Sequence, residues 1–314
     1  MLPALIDVRP PSGIDLGPVT LGFYGIGFVI AAAVMILVSQ SEARRKGHDP
    51  GLVTSAIIVV AIAALIGARL YHVVGEWQVY ADDPIRVVLP PYAGLGLYGG
   101  IVGAAVGIWI FLRGKDLPLS RALDIVVPGT LFAQGIARWG NFFNQELYGP
   151  PTDLPWGIAI DCAHRIAPWF CPDDPRLAAG VDGLQFQSTG FHPLFFYESV
   201  LTISGGFVAL VLARRFGERL RDGDLASFWM IWYGGVRLVL ELFREGWNWT
   251  IAGIPAAMLI GAVLIVIGVA TTMWRHRRPG TPTHREGDVE ARRGGIRSDR
   301  GEPTGHDVSD VEGT

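Results

Sequence analysis

Between Ala137 and Gly149 the chain reads Ala-Arg-Trp-Gly-Asn-Phe-Phe-Asn-Gln-Glu-Leu-Tyr-Gly, which sets Arg138, Asn141, Asn144, Gln145 and Glu146 where a long apolar segment gives way to a long polar one. Desolvating such groups at a bilayer edge costs on the order of several kcal/mol unless each finds a partner, so charges at that depth mark function by default. The competing reading is an interfacial cap that only ends a helix.

A second group lies in another apolar run. Tyr233, Arg237, Glu241 and Arg244 are spaced four, four and three apart, which puts all four on one helical face. An Arg237–Glu241 pair could be structural glue, although buried pairs are weak stabilisers. The sharper reading is an anion clamp: a guanidinium held by a carboxylate within the bundle, its planar donor fork turned toward a phosphate.

Further candidates are scattered. His192-Pro193-Leu194-Phe195-Phe196-Tyr197-Glu198 opens an apolar run with a helix-starting proline and two ionisable groups, of which Glu198 is the harder to dismiss. Arg69 and His72 close an earlier run, where snorkelling explains Arg69 as well as function does. Tyr24 fits an interfacial tyrosine. Gly94-Leu95-Gly96-Leu97-Tyr98-Gly99-Gly100 opens another run, and Gly99, Gly103 and Gly107 recur at four-residue intervals, the spacing of close helix packing. With no preceding strand and no Gly-Lys-Ser/Thr, this is not a phosphate loop.

The elements that must position these residues follow from composition. Half of the 314 residues are hydrophobic and only 18% are charged, with a mean hydropathy of +0.35. An all-α, polytopic membrane bundle is expected. A net charge of only -3 gives nucleic acid no electrostatic support as a partner. Apolar stretches near the 20 residues a bilayer requires run roughly over 19–38, 52–74, 95–112, 122–143, 193–213, 225–243 and 251–274, about seven in all. The cations Arg44, Arg45 and Lys46, then Arg113, Lys115 and Arg121, then Arg214, Arg215, Arg219 and Arg221, then Arg275, Arg277 and Arg278 fall on one side, which is cytoplasmic by the positive-inside rule.

The N-terminus is then outside and the C-terminus inside. Residues 1–18 form an outer segment without the basic start and small-residue cleavage site of a signal peptide. The outer side also carries loops at 75–94, 144–192 and 245–250. Of these, 144–192 has room for a small extracytoplasmic subdomain. Cys162 and Cys171, the only cysteines, both lie in it; a disulfide is expected in that compartment, with free thiols as the alternative. Residues 275–314 are almost devoid of apolar side chains and are expected to be a disordered cytoplasmic tail. No internal repeat of the kind transporters carry is visible.

Tyr24, Arg69, Tyr98, Arg138, Asn141, Glu146, His192, Glu198, Arg237, Glu241 and Arg244 all fall toward the outer half, as one outward-facing, lipid-accessible cavity would require. An anion transporter would favour polar groups along the whole membrane depth. A receptor-like protein whose outer loop binds a partner is a second rival.

Arg138-Trp139-Gly140-Asn141-Phe142-Phe143-Asn144-Gln145-Glu146 closely resembles the signature of the bacterial prolipoprotein diacylglyceryl transferases. His192-Pro193, Tyr197-Glu198, the Gly-Gly of the third run, and Arg237, Glu241 and Arg244 recur in the same order, so the resemblance spans about 19–274. It implies a bacterial inner-membrane enzyme that moves the diacylglyceryl group of phosphatidylglycerol onto the lipobox cysteine thiol of a prolipoprotein and releases glycerol 1-phosphate. No metal or soluble cofactor is implied, and nothing demands more than a monomer. By position, Arg138 and Arg237 become phosphate and headgroup ligands. Asn141, Asn144 and Glu146 shape the headgroup pocket, Tyr24 lines the cavity, Glu241 holds Arg237, and Gly149 ends the signature. Arg69, His192, Glu198 and Arg244 join the substrate-binding set.

A thiol of pKa about 8.5 must lose its proton to attack carbon, and the leaving phosphate must be stabilised as charge localises on it. Many family members carry a histidine just before the Gly-Gly, where this chain has Tyr98, a poor base near neutral pH. Either Tyr98 orients substrate, or the proton goes to Glu198, Glu241, His192 or the phosphate itself.

Overall fold

An apolar segment in lipid must satisfy its backbone internally, and a single segment can do so only as a helix. The computed structural model describes residues 6, 10–17, 20–81, 83–87, 94–172, 174–176, 183, 190–244 and 250–278. Among them seven long helices occur: α1 (Phe23–Arg45), α2 (Gly51–Gly75), α4 (Leu97–Leu112), α5 (Leu119–Ala137), α7 (Leu194–Arg215), α8 (Asp224–Glu241) and α9 (Ala256–Arg277). Two short ones, α3 (Trp77–Tyr80) and α6 (Trp139–Phe143), complete the helical set. Helices α1, α2, α7 and α9 are long and apolar enough to cross a membrane, and α4 is a shorter apolar helix. The chain is a mostly helical membrane protein.

Helices α5 and α8 fall outside that set and share a buried core with α7. Val127 and Leu131 of α5, Ala209 and Ala213 of α7, and Leu225 and Ala226 of α8 form one buried core. Ala43 of α1, Val53 of α2 and Ile125 of α5 form a second. The glycine repeat of α4 does what its spacing predicts. A Cβ on Gly99 or Gly103 would run into the backbone carbonyl of Gly67 or Ala63 on α2, so the two helices touch backbone to backbone.

At one end of these helices the charges are tied together. Glu42, with its side chain 1% exposed, takes Arg45 Nε at 2.8 Å and Arg214 Nε of α7 at 2.9 Å. Asp124 of α5 accepts the backbone N–H groups of Gly223 at 2.7 Å and Ala226 at 2.9 Å. It thereby satisfies donors that the start of α8 would otherwise leave orphaned. Gly223 makes this approach at φ 96, a left-handed conformation suited to glycine. Arg121 closes on Asp222 at 2.9 Å. Burial lowers the Lys46 ammonium from its ordinary value, with the nearby Asp124 opposing the shift.

Three expected spans begin or end differently from the sequence reading. Strands β1 (Gly13–Asp15) and β2 (Thr20–Gly22) pair antiparallel, so the first helix starts at Phe23. The run expected over 122–143 divides at Arg138 into α5 and α6. The last helix starts only at Ala256, because β5 (Thr250–Ile251) and β6 (Ile254–Pro255) form a hairpin turning at Ala252, φ 52, and Gly253, φ 80. Two positive φ values in a two-residue turn match the strand twist.

Between α6 and α7, strands β3 (Pro151–Thr152) and β4 (Gly190–Phe191) pair, and Ile158 bridges both Phe191 and Ile6. Tyr148, Ile160 and Phe191 form a small core there. The fully buried Arg165 stacks its guanidinium 5.0 Å from the Phe191 ring and donates to Ile160 O at 3.1 Å. Cys162 and Cys171 are joined as a disulfide. Of the unit Trp274–Thr314, only 274–278 are described. The expected tail beyond 278, residues 1–5, 7–9 and 18 of the outer segment, and 245–249 of the last outer turn lie outside the described residues.

Candidate active site

At the opposite end from Glu42 and Asp124, α5, α7 and α8 bring charge together. Arg138 caps α5, Glu198 sits in the second turn of α7, and Arg237 and Glu241 lie one turn apart on α8. Arg138 Nη2 is 2.7 Å from Glu198 Oε1. Arg237 lies between two carboxylates, 3.6 Å from Glu198 Oε2 and 3.2 Å from Glu241 Oε2, and Arg244 approaches Glu241 Oε2 at 3.8 Å. The result is an alternating row, Arg138–Glu198–Arg237–Glu241–Arg244, with three cations against two anions.

Exposure assigns the two kinds of group different tasks. The Glu198 and Glu241 side chains are 4% and 1% exposed, whereas Arg138, Arg237 and Arg244 keep 27%, 16% and 32%. The carboxylates form the buried spine and the guanidiniums present their remaining N–H donors to the open side. Glu241 Oε1 is buried with no hydrogen-bond partner among the described residues, so the row keeps an acceptor beside its donors. Surplus positive charge and several forked donors suit an anion with several oxygens, a phosphate above all.

The signature loop is held in a strained shape. Gln145 and Leu147 have φ 51 and 55, left-handed values rare for residues with a Cβ. Gln145 is locked by a two-way exchange with Asp161: its Nε2 donates to Oδ2 at 2.7 Å and its Oε1 accepts the Asp161 N–H at 2.8 Å. Leu147 O accepts the Phe195 N–H at 3.1 Å. Inside the loop, Asn141 and Asn144 both donate to Glu146 Oε1, at 2.9 and 3.2 Å. Burial raises the neighbouring Tyr148 hydroxyl above its ordinary pKa, opposed by the Ile166 N–H that donates to it at 2.8 Å.

Gly149 is where this loop meets the helices carrying the charges. Its N–H donates to His192 O at 2.8 Å. A Cβ there would press on Phe243 O and the His192 side chain, so only glycine fits. His192 Nδ1 lies 3.0 Å from the Tyr197 hydroxyl, which also accepts Trp156 Nε1–H at 2.8 Å. Tyr24 packs closely on Gly140 and on Phe28, while Trp139 meets Phe142, Phe195 and Phe196 edge to face. This aromatic wall stands beside Arg138.

Arg69 and Tyr98 are placed on the α2–α4 pair. Arg69 donates to the carbonyls of Arg86, Val87 and Gly94 at 2.8, 3.0 and 3.2 Å and lies over the Tyr80 ring. It thus holds the loop that follows α2. Tyr98 packs its ring 6.0 Å from that of Tyr71. The structure therefore brings Arg138, Asn141, Asn144, Glu146, Gly149, His192, Glu198, Arg237, Glu241 and Arg244 into one connected region, with Tyr24 on its wall. Sequence reasoning missed Asp161, the partner of Gln145, and Trp156, the donor to Tyr197. Nothing in the spacing of either residue points to its partner.

The model of the family described as prolipoprotein diacylglyceryl transferase matches residues 11–274. The chain is 36% identical over 289 residues to a phosphatidylglycerol--prolipoprotein diacylglyceryl transferase of Chloroflexus aggregans, covering 87% of this chain and 92% of the relative. A Synechococcus elongatus relative of the same name is 32% identical, covering 84% and 86%. One from Symbiobacterium thermophilum is 34% identical, covering 88% and 96%. With the family model matched over residues 11–274 and relatives 32–36% identical over most of their own length, the chain belongs to the prolipoprotein diacylglyceryl transferase family.

Proposed function

We propose that the protein transfers the diacylglyceryl group of phosphatidylglycerol to the lipobox cysteine thiol of prolipoproteins, releasing glycerol 1-phosphate. The row of three arginines on two buried carboxylates carries this reading. In the reaction the sulfur attacks the glyceryl carbon, a C–S bond forms and the C–O bond to phosphate breaks. A phosphodiester with one negative charge becomes a monoester approaching two, since its second pKa is about 6. Arg138 and Arg237 are placed to meet that growing charge without reorganising, because Glu198 and Glu241 already hold them.

The other assignments follow from position. Glu241 fixes Arg237 and offers its free oxygen to a glycerol hydroxyl, and Arg244 extends the row. Asn141, Asn144 and Glu146 shape the headgroup side, Gly149 and His192 fix the loop against α7 and α8, and Tyr24 with the aromatic wall faces the acyl chains. Tyr98, on the α2–α4 pair, orients substrate from the other flank, where Arg69 acts through the loop it holds after α2. The thiol gives up its proton as the sulfur attacks, to Glu198, Glu241, His192 or an oxygen of the phosphodiester, before the C–O bond breaks and the phosphate departs with its second charge.

The bundle crosses a bacterial inner membrane with the seven long helices, N-terminus outside and C-terminus in the cytoplasm, so that the arginine row opens to the outer leaflet. The four basic clusters between or after helices support this orientation. The protein works as a monomer on phosphatidylglycerol and a prolipoprotein. The test is a mass-shift assay with purified protein, phosphatidylglycerol vesicles and a lipobox peptide. A diacylglyceryl adduct on cysteine that vanishes with Arg138→Ala is expected; folded protein that yields none would refute the assignment.

A further inference from the structure

Away from the arginine row, α1, α2, α4 and α5 line a half-open cavity of about 300 Å³. Met35 of α1, Ile57 and Val60 of α2, Ile108 of α4 and Val126 of α5 line it, and the Ala43–Val53–Ile125 core closes its floor. Its one side-chain hydroxyl, Thr130, already donates to Val126 O at 2.9 Å. Between the helices the chamber is apolar, its other polar side chains, His48 and Asp49, lying at the turn end, and apolar cavities stay dry or take an apolar guest. Left empty, it would forfeit the dispersion contacts of its whole lining.

The cavity extends to His48 and Asp49 in the α1–α2 turn and to Leu117 and Leu119 beside the α4–α5 turn. Asp49 caps α2, accepting the Gly51 N–H at 2.9 Å. The same two turns carry Arg44, Lys46, Arg113 and Lys115. Arg113 and Lys115 are exposed, and their cations fold back over Trp109 and Phe111 at 4.9 and 4.7 Å. An apolar chamber that ends at turns whose four cations outnumber the carboxylates of Asp49 and Asp116 has the polarity order of an anionic phospholipid, hydrocarbon first and phosphate last.

We infer that this cavity holds one acyl chain of an anionic phospholipid of the inner leaflet, its phosphate met by Arg113 and Lys115. The inference rests on the membrane orientation proposed above and not on the transfer reaction. The bound lipid fills the gap between the α2–α4 pair and α1–α5, and so sets how the flank bearing Arg69 and Tyr98 stands beside the arginine row.

The test uses the full chain in phosphatidylcholine nanodiscs carrying a small fraction of phosphatidylglycerol with a diazirine on its acyl chain. After photolysis, mass spectrometry should find adducts on residues 53–60 and 108–112. Filling the cavity with Ala56→Trp should remove them. The double variant Arg113→Glu/Lys115→Glu should lower them roughly thirtyfold, the ratio expected for two lost interfacial cation contacts. Undiminished labelling in either folded variant would overturn the inference, as would equal labelling by diazirine phosphatidylcholine. Should Ala56→Trp not fold, the surface double variant decides alone. Adducts near residues 138–144 report the transfer site separately: their absence with inner labelling intact would count against the transfer reading and leave this one standing.

Discussion

The two ends of the helix bundle use the same residue types to opposite effect. At one, Glu42 is shared by Arg45 and Arg214, and Asp124 takes two backbone N–H groups, so each carboxylate is spent on holding helices together. At the other, Glu198 and Glu241 hold three arginines whose donors are not used up, and Glu241 keeps an oxygen without a partner among the described residues. A saturated network stabilises; an unsaturated one with surplus charge binds. Charge alone does not separate structure from chemistry, whereas the completeness of its hydrogen bonding does.

If this contrast holds, substitutions at the two ends divide cleanly between rate and stability. Arg138→Ala should lower kcat/KM for diacylglyceryl transfer by about 10²–10³-fold, the cost of one preorganised donor to developing negative charge, with little change in thermal unfolding. A large loss of stability instead would make the row structural. Asp124→Ala should do the reverse. Orphaning two buried N–H groups costs about 2–4 kcal/mol, read as a lowered melting temperature in detergent, with KM unchanged where the protein is folded.

Between these two lies the segment joining α6 to α7. Replacing Cys162 and Cys171 with alanine opens a disulfide of sequence separation 9 and should cost roughly 2–3 kcal/mol by loop closure. Limited proteolysis should then cut within that segment before the helices. Gly149→Ala crowds Phe243 O and should cost about 1–3 kcal/mol while also lowering kcat, since it displaces the loop from α8. The smallest effect is expected for Tyr98→Phe, less than about fivefold in kcat, as for one neutral hydrogen bond. A loss equal to that of Arg138→Ala would move Tyr98 from orienting substrate into the proton transfer itself.

Helical type and approximate extent were legible wherever hydrophobicity was unbroken, as over α2 and α7, because lipid leaves a chain no other way to satisfy its backbone. Boundaries were legible only where nothing tertiary competed. The starts of α1 and α9 are set by β-hairpins too short to leave a pattern, and the division at Arg138 follows from a loop pinned by Asp161, 16 residues beyond Gln145. Much of the site could be read from Arg138, Glu198, Arg237 and Glu241, since charges in apolar runs are costly and therefore informative.

By itself, then, the sequence determined which segments are helices, which cations gather at segment ends, and which charged side chains have to find partners. Desolvation cost and backbone satisfaction are local enough to be read one residue at a time. Tertiary structure alone decided the pairings: that Glu198 bridges Arg138 and Arg237 across three helices, that Glu42 and Asp124 are spent on structure, and that Arg69 is turned to carbonyls. Those outcomes depend on distances between segments up to 172 residues apart, and no periodicity within a segment records them.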